Sequence, residues 1–156
     1  GYYDGRLRRF ANQVRNLTDR TAACVRRVPA DQRKIVTDHD AFAYFTNRFG
    51  IETVGTVIPA LTTEAQPSAG ELADLEKTIR DENVKAVFPE ESVSPALSEA
   101  VSRDTGATTD YTLYGDTLGP EGSPGETWLG SMKSNADSVV AGMTGGAGTC
   151  FGGPGD

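Results

Sequence analysis

The sequence predicts an α/β fold: a four-stranded, mostly parallel sheet flanked by helices and preceded by one long helix. Short β-branched runs alternate along the chain with stretches in which apolar residues recur at helical spacing. Strands separated by helices form βαβ units, which place parallel strands in one sheet. At 156 residues the chain is long enough for one domain with a core, or for one lobe of a larger protein.

The first predicted helix is unusually long. Residues 4–28 carry apolar side chains at steps of three and four, which is the pattern of an amphipathic helix, and Pro29 ends it. At the usual rise per residue, such a helix spans roughly 40 Å, which is long for a small domain.

Turn and cap residues separate the later elements. Gly50 ends the second helix, and Ser68 with Glu71 three residues later predicts a capping box. Ser94 is predicted to cap the following helix, which Gly106 ends. The predicted elements are strands at 34–37, 52–58, 84–88 and 107–114, with helices at 39–49, after 68, after 94 and at 125–143.

Composition and charge argue against two classes of protein. No apolar run approaches the roughly 18–20 residues that span a bilayer, and the net charge of −7 argues against nucleic-acid binding. Residues 1–34 nevertheless hold nine of the fifteen Lys and Arg residues. We interpret that basic segment as a solvated helix face, since charge runs usually lie at the surface.

Candidate ligand residues follow three of the predicted strands. The only histidine, His39, comes after the first strand and is predicted to start a helix; Glu90 and Glu91 follow the third strand and Asp116 the fourth. Open α/β sheets bind ligands at this edge, and imidazole with carboxylates suits a divalent transition metal. Ordinary alternatives remain open: a cap or surface role for His39, a solvated carboxylate at Glu90 and an Asx-turn at Asp116.

Four motifs around these residues resemble one known family. TDHDAFAYFTNRFGI, QPSAGELADLEKTI, VKAVFPEESVSPALSEAV and LYGDTLGPEGSPGETWLGSMKSNADSVV occur in order. Together they look like the carboxyl-terminal lobe of the zinc/manganese solute-binding proteins of bacterial ABC transporters, the adhesin-lipoprotein family, over about residues 2–144. In that family one long helix connects two α/β lobes and the metal lies between them. The resemblance implies a connector helix at 1–29, the lobe at 30–144 and a Gly-rich tail at 145–156.

The resemblance also implies a metal site shared between lobes. His39 matches the third metal ligand of the family and Asp116 the fourth, whereas the first two are histidines of an amino-terminal lobe that this sequence does not contain. Glu90 matches a recurring acidic position and is expected to orient His39 or its loop rather than to ligate the metal. Three imidazoles and a carboxylate suit Zn²⁺ and can serve Mn²⁺, and the histidine at position 39 favours zinc. With two of four ligands, this chain alone is expected to bind metal weakly or not at all.

The implied function is transport and not catalysis. The resemblance predicts an extracytoplasmic solute-binding component of an ABC-type zinc or manganese importer, at the periplasm or cell surface and lipid-anchored in its full-length form. Expected partners are the missing amino-terminal lobe, the membrane permease and the metal ion as cargo. An additional role as a surface adhesin stays open. The alternative function is a metal-dependent hydrolase on a flavodoxin-like sheet, although GxSxG, HExxH, P-loop and strand-following GxGxxG motifs are absent.

The extracytoplasmic assignment bears on the two cysteines. An even pair in an exported protein suggests a disulfide, so Cys24 and Cys150 are expected to link the tail to the long helix. Two unrelated thiols are the alternative. Apart from its cysteine, the Gly-rich tail is expected to be poorly ordered.

Overall fold

A computed structural model describes residues 2–59 and 66–152 of the chain. Helices and strands alternate as predicted, and the α/β class is confirmed. No helix in this part of the chain is both long and apolar enough to cross a membrane. The helices are α1 (Tyr2–Val25), α2 (Ala43–Phe49), α3 (Ala69–Asp81), α4 (Ala96–Thr105) and α5 (Trp128–Thr144); the strands are β1 (Lys34–Thr37), β2 (Glu52–Thr56) and β3 (Val87–Phe88).

The sheet within the described residues has three strands, so the predicted four-stranded sheet is wrong. β1 lies in the centre, parallel to β2 on one side and β3 on the other. The predicted fourth strand, 107–114, forms only two isolated parallel bridges, Ala86 with Thr108 and Glu90 with Leu113. The chain advances four positions from Ala86 to Glu90 but five positions from Thr108 to Leu113. The two segments therefore cannot pair in one continuous register. Pro89, which lies between the bridges, also lacks an amide hydrogen to donate.

The sheet separates two apolar clusters. Ile35 and Phe88 face the cluster that α1, α2 and α5 complete. Val36 and Val87, the neighbouring strand residues, face the cluster under α3 and α4. Successive side chains of a strand point to opposite faces, and here both faces are covered by helices. The carboxyl ends of the strands are therefore the open edge at which a polar site can form.

Helix α1 follows the predicted amphipathic pattern but is buried only in its second half. Its 24 residues span about 36 Å, and it ends at Val25, before the predicted Pro29 boundary. Leu17 and Cys24 are buried against the core, whereas Leu7 is 67% and Phe10 47% exposed. The amino-terminal half of the helix thus presents apolar side chains to solvent.

Two predicted helix starts are wrong. Helix α2 begins at Ala43 and not at His39, because the His39 carbonyl accepts from the Ala41 amide and the Thr37 hydroxyl in a tight turn. Helix α4 begins at Ala96 with Pro95 at its N-cap, so the predicted Ser94 cap does not form. The capping box of Ser68 and Glu71 and the left-handed glycines that end α2 and α4 are confirmed.

The segment after α5 makes contacts with the rest of the fold at Cys150 and Phe151, the first of which is the cysteine that the sequence analysis expected to be held. Cys150 and Cys24 form a disulfide with their Cα atoms 5.5 Å apart, as expected from the extracytoplasmic assignment. One carboxylate oxygen of Asp137 accepts hydrogen bonds from the Cys150 and Phe151 amides, at 2.5 and 2.7 Å. The Arg20 guanidinium lies 4.4 Å from the centre of the Phe151 ring. The rest of the predicted tail, 153–156, lies outside the described residues, as does residue 1 of the predicted connector.

Candidate metal centre

His39 lies in the turn that follows β1, at the carboxyl edge of the sheet. The local sequence forces the chain to turn there, since the Thr37 hydroxyl donates to the His39 carbonyl at 2.9 Å. The imidazole is buried, with 6% of the side chain exposed. A buried imidazole at this edge has two nitrogens to satisfy, and the structure places a different carboxylate near each of them.

Glu90 approaches the inner nitrogen of His39. Its side chain is fully buried, and Oε1 lies 2.5 Å from His39 Nδ1. The contact is short but poorly aligned: neither Glu90 carboxylate oxygen nor Nδ1 forms a well-aligned hydrogen bond with another described residue. The pKa of Glu90 is raised from 4.5 to about 7. Burial is the largest cause and the charges of Asp38 and Asp116 add to it, whereas the charge and proximity of His39 oppose the shift.

Asp116 approaches the outer nitrogen. Its carboxylate is 65% exposed, and Oδ2 lies 3.8 Å from His39 Nε2. Two ligand atoms of a tetrahedral Zn²⁺ site are separated by about 3.4 Å, given metal–ligand distances near 2.1 Å. The Nε2–Oδ2 gap is therefore close to what a shared cation requires, and it is too long for a direct hydrogen bond.

Contacts at Asn135 and Gly115 fix the chain on the amino-terminal side of Asp116. Asn135 on α5 accepts from the Tyr114 amide at 2.9 Å and donates to the Tyr114 carbonyl at 2.8 Å. Gly115 comes next, and a Cβ atom there would lie 2.2 Å from Glu90 Oε2. The glycine between Tyr114 and Asp116 is thus required by the close approach of Glu90. In the sequence, the feature that indicates this glycine is the LYGDTL motif.

A group that sequence reasoning missed lies beneath His39. The carboxylate of Asp38 is buried, accepts from the Glu90 amide at 2.8 Å and accepts from the Ser98 hydroxyl. Burial raises the pKa of Asp38, although both hydrogen bonds and the charge of His39 oppose that shift. The sequence signal was weak, because Ser98 is sixty residues away along the chain.

The predicted site residues thus meet in one place, with different surroundings. His39 and Glu90 are buried in contact, and Asp116 faces them from the exposed loop. Across residues 2–59 and 66–152, no three His, Cys, Asp or Glu side chains form a group that could hold a metal ion. The arrangement offers one imidazole nitrogen and one carboxylate at an open edge, which is half of a tetrahedral site.

An α/β lobe with its ligand groups at the open edge of a parallel sheet is typical of solute-binding proteins, and comparison with known proteins identifies the family. The family model described as "Zinc-uptake complex component A periplasmic" matches residues 1–142, so the chain belongs to this family. The predicted family is therefore confirmed.

Individual relatives agree with the family model. The chain is similar to the manganese-binding lipoprotein MntA of Halalkalibacterium halodurans, 32% identical over 117 residues, which cover 75% of this chain and 38% of that protein. The periplasmic zinc binding protein TroA of Treponema pallidum has a TM-score of 0.80 at 26% identity, over 90% of this chain and 52% of that one. The laminin binding protein of Streptococcus agalactiae, described as a bifunctional protein with adhesin and metal transporting activity, has a TM-score of 0.75 at 26% identity, over 87% and 50% of the two chains. The chain thus spans about half the length of the relatives it matches, or less.

Proposed function

We propose that this chain is the metal-binding carboxyl-terminal lobe of an extracytoplasmic substrate-binding component of an ABC-type metal importer. The observation that carries the proposal is the line of three groups at the sheet edge, with Glu90 on one nitrogen of His39 and Asp116 3.8 Å from the other. His39 Nε2 and the Asp116 carboxylate are the proposed ligands to the cargo ion. The chain acts as a binding protein and not as an enzyme.

Zinc is the cargo we favour over manganese. An imidazole at position 39, together with the two histidines expected from an amino-terminal lobe and the Asp116 carboxylate, gives a set of three nitrogens and one oxygen. That set suits Zn²⁺, whereas Mn²⁺ prefers more oxygen ligands. The relatives include one named for manganese and one named for zinc, so the family alone does not select the ion.

The amino-terminal lobe is the proposed partner that completes the site. Next to Gly115, an apolar cavity of about 340 Å³ opens between α1, α2 and α5. Tyr44, which is 95% exposed, and Trp128 line this cavity, and Phe10 contacts Trp128 with their ring centres 5.9 Å apart. Exposed apolar surface of this kind, beside a half-complete site, supports a second lobe that covers it. The membrane permease is the further partner, and the disulfide is consistent with an oxidising compartment.

Metal titration of the chain tests the proposal. Calorimetry with Zn²⁺ and with Mn²⁺ should show weak binding to the isolated chain, because it supplies two of four ligands. His39→Ala should abolish that binding and Asp116→Asn should weaken it. Asp110→Asn is the matched control, since Asp110 is another exposed carboxylate and is not at the site. Equal binding by His39→Ala and the unsubstituted chain would contradict the ligand assignment, and tight binding with hydrolysis of an ester would favour the alternative enzyme.

A further inference from the structure

Asp38 is a buried carboxylate that does not face the position proposed for the metal. It lies at the end of β1, directly before His39, and is 1% exposed. Burying a charged carboxylate is costly unless hydrogen bonds replace its water. Here both oxygens are used: Oδ2 accepts from the Glu90 amide at 2.8 Å, and Oδ1 accepts from the Ser98 hydroxyl.

These two bonds join three separate parts of the fold. The Glu90 amide belongs to the turn after β3, which is also held by the Glu91 amide donating to the Leu113 carbonyl at 2.9 Å. Ser98 is on α4, which covers the opposite face of the sheet and contributes no ligand. Ser98 is fully buried, so solvent cannot take the place of Asp38 as the hydrogen-bond partner of its hydroxyl. The position of the Glu90 backbone is therefore fixed from beneath the site.

We infer that Asp38 is a positioning residue for the metal half-site, and that Ser98 orients it. The inference rests on the proposed function and names residues beyond the two ligands and Glu90. By holding the Glu90 amide, Asp38 places the Glu90 carboxylate 2.5 Å from His39 Nδ1. A carboxylate there keeps the proton of the neutral imidazole on Nδ1, so the lone pair of Nε2 faces Asp116 and the cargo ion.

The consequence is that a helix remote from the metal controls which nitrogen of His39 can bind it. If Ser98 loses its hydroxyl, one oxygen of Asp38 is left without a partner in the protein interior. The carboxylate is then free to rotate away from the Glu90 amide. Glu90 would no longer be held against Nδ1, and the imidazole would exchange between its two tautomers. Metal binding needs Nε2 unprotonated, so the affinity would fall although both ligands remain.

The single histidine makes the inference directly measurable by NMR. Long-range ¹H–¹⁵N correlation of the imidazole reports the tautomer of His39 alone, because no other histidine is present in the sequence. Spectra for the tautomer comparison are recorded with chelator, at a pH above which the imidazole signals no longer change, and Zn²⁺ is titrated without chelator. The variants are Ser98→Ala and Asp38→Asn. Val101→Ala is the matched control, because Val101 is also buried on α4 but packs in the apolar cluster under α3 and α4.

The unsubstituted chain should show mainly the Nδ1–H tautomer, and both variants should gain a clear share of the Nε2–H form. Their Zn²⁺ affinity, followed through the same His39 signals, should fall on the order of tenfold. Val101→Ala should lose stability yet keep tautomer and affinity. Folded variants with the original tautomer would overturn the inference, and so would loss of the fold in both variants, because a positioning role requires that the fold survive. If Zn²⁺ does not shift the His39 signals of the unsubstituted chain, the weak binding predicted for the isolated chain is contradicted, whereas the tautomer comparison still decides the role of Asp38.

Discussion

At the scale of single residues, the site depends on Gly115 as much as on its charged groups. A Cβ atom at this position would lie 2.2 Å from Glu90 Oε2 and 3.5 Å from the Phe42 ring. Glu90 is buried and in contact with His39, so its carboxylate has little freedom to move away. A glycine here is required by a close approach and not by backbone conformation.

Gly115→Ala is therefore expected to destabilise the fold by about 1–3 kcal/mol, the usual cost of forcing extra atoms into a packed site. The displaced Glu90 carboxylate should also change the NMR signals of His39. Urea unfolding and the imidazole spectrum measure the two effects. Gly148→Ala is the control, because a Cβ atom there meets nothing within 4 Å. Equal stability of both variants would contradict the predicted contact.

Glu90 should also make stability depend on pH. Burial and the charges of Asp38 and Asp116 raise its pKa from 4.5 to about 7, although the charge and proximity of His39 lower it. An acid whose pKa is raised by folding favours the folded state fully below pH 4.5, and this advantage is lost as the pH rises to about 7. Glu90→Gln mimics the protonated form, so from pH 5 to 8 it should gain stability relative to the unsubstituted chain, on the order of 1–3 kcal/mol.

The comparison is made by urea unfolding in the presence of a chelator, so that metal binding does not contribute. Glu91→Gln serves as the control, since the neighbouring side chain is exposed. A pH-dependent difference in Glu91→Gln as large as that in Glu90→Gln would mean that the effect does not come from the buried carboxylate. A Glu90→Gln difference that is the same at pH 5 and pH 8 would show that the buried carboxylate does not titrate in this range.

The residue scale also shows what sequence reasoning can reach. His39, Glu90 and Asp116 each follow a predicted strand, and the family resemblance points to all three residues. The sequence does not predict the role of Asp38 and Ser98, because that role depends on a contact between residues sixty positions apart. No local pattern distinguishes a serine that faces a buried carboxylate from one that faces solvent.

At the scale of elements, the contact between α1 and the segment after α5 depends on the disulfide. The bond joins Cys24 and Cys150 across 126 residues of sequence. In the chain-entropy model a loop of this length stabilises the fold by about 4–5 kcal/mol, because the unfolded chain is restricted. Reduction with dithiothreitol should lower the free energy of unfolding by an amount of this order in urea titrations.

The matched control is the double variant Cys24→Ala with Cys150→Ala, which should unfold like the reduced chain whether or not reductant is present. A reductant effect on this variant would mean that the loss does not come from the disulfide. An unsubstituted chain that unfolds identically with and without reductant would contradict the predicted contribution.

Element boundaries were predicted less well than element order. The helix after β1 starts four residues later than predicted, because the Thr37 hydroxyl and the Ala41 amide close a turn on the His39 carbonyl. The predicted fourth strand does not form, because 107–114 has one residue too many to stay in register beside β3. Both errors come from hydrogen bonds that depend on the tertiary fold, which periodicity does not encode.

At the scale of the whole molecule, the two halves of α1 have different surroundings. The order of helices and strands was predictable from the alternation of apolar patterns, and the length of α1 from its spacing. What the pattern did not predict is that only the second half of the stripe is buried here, whereas Leu7 and Phe10 remain exposed. An apolar stripe on a helix indicates that this face is to be buried, but it does not indicate which part of the protein covers it.

The covalent anchoring of α1 has a mechanical consequence. Its carboxyl-terminal half is packed on the core and bonded to the segment that follows α5, so this end of the helix is fixed to the lobe. A helix about 36 Å long that is fixed at one end acts as a lever. A small rotation of the lobe is therefore magnified at the far tip of the helix. Under the proposed function, a movement of the second lobe relative to this one would therefore have to take place away from this anchored end.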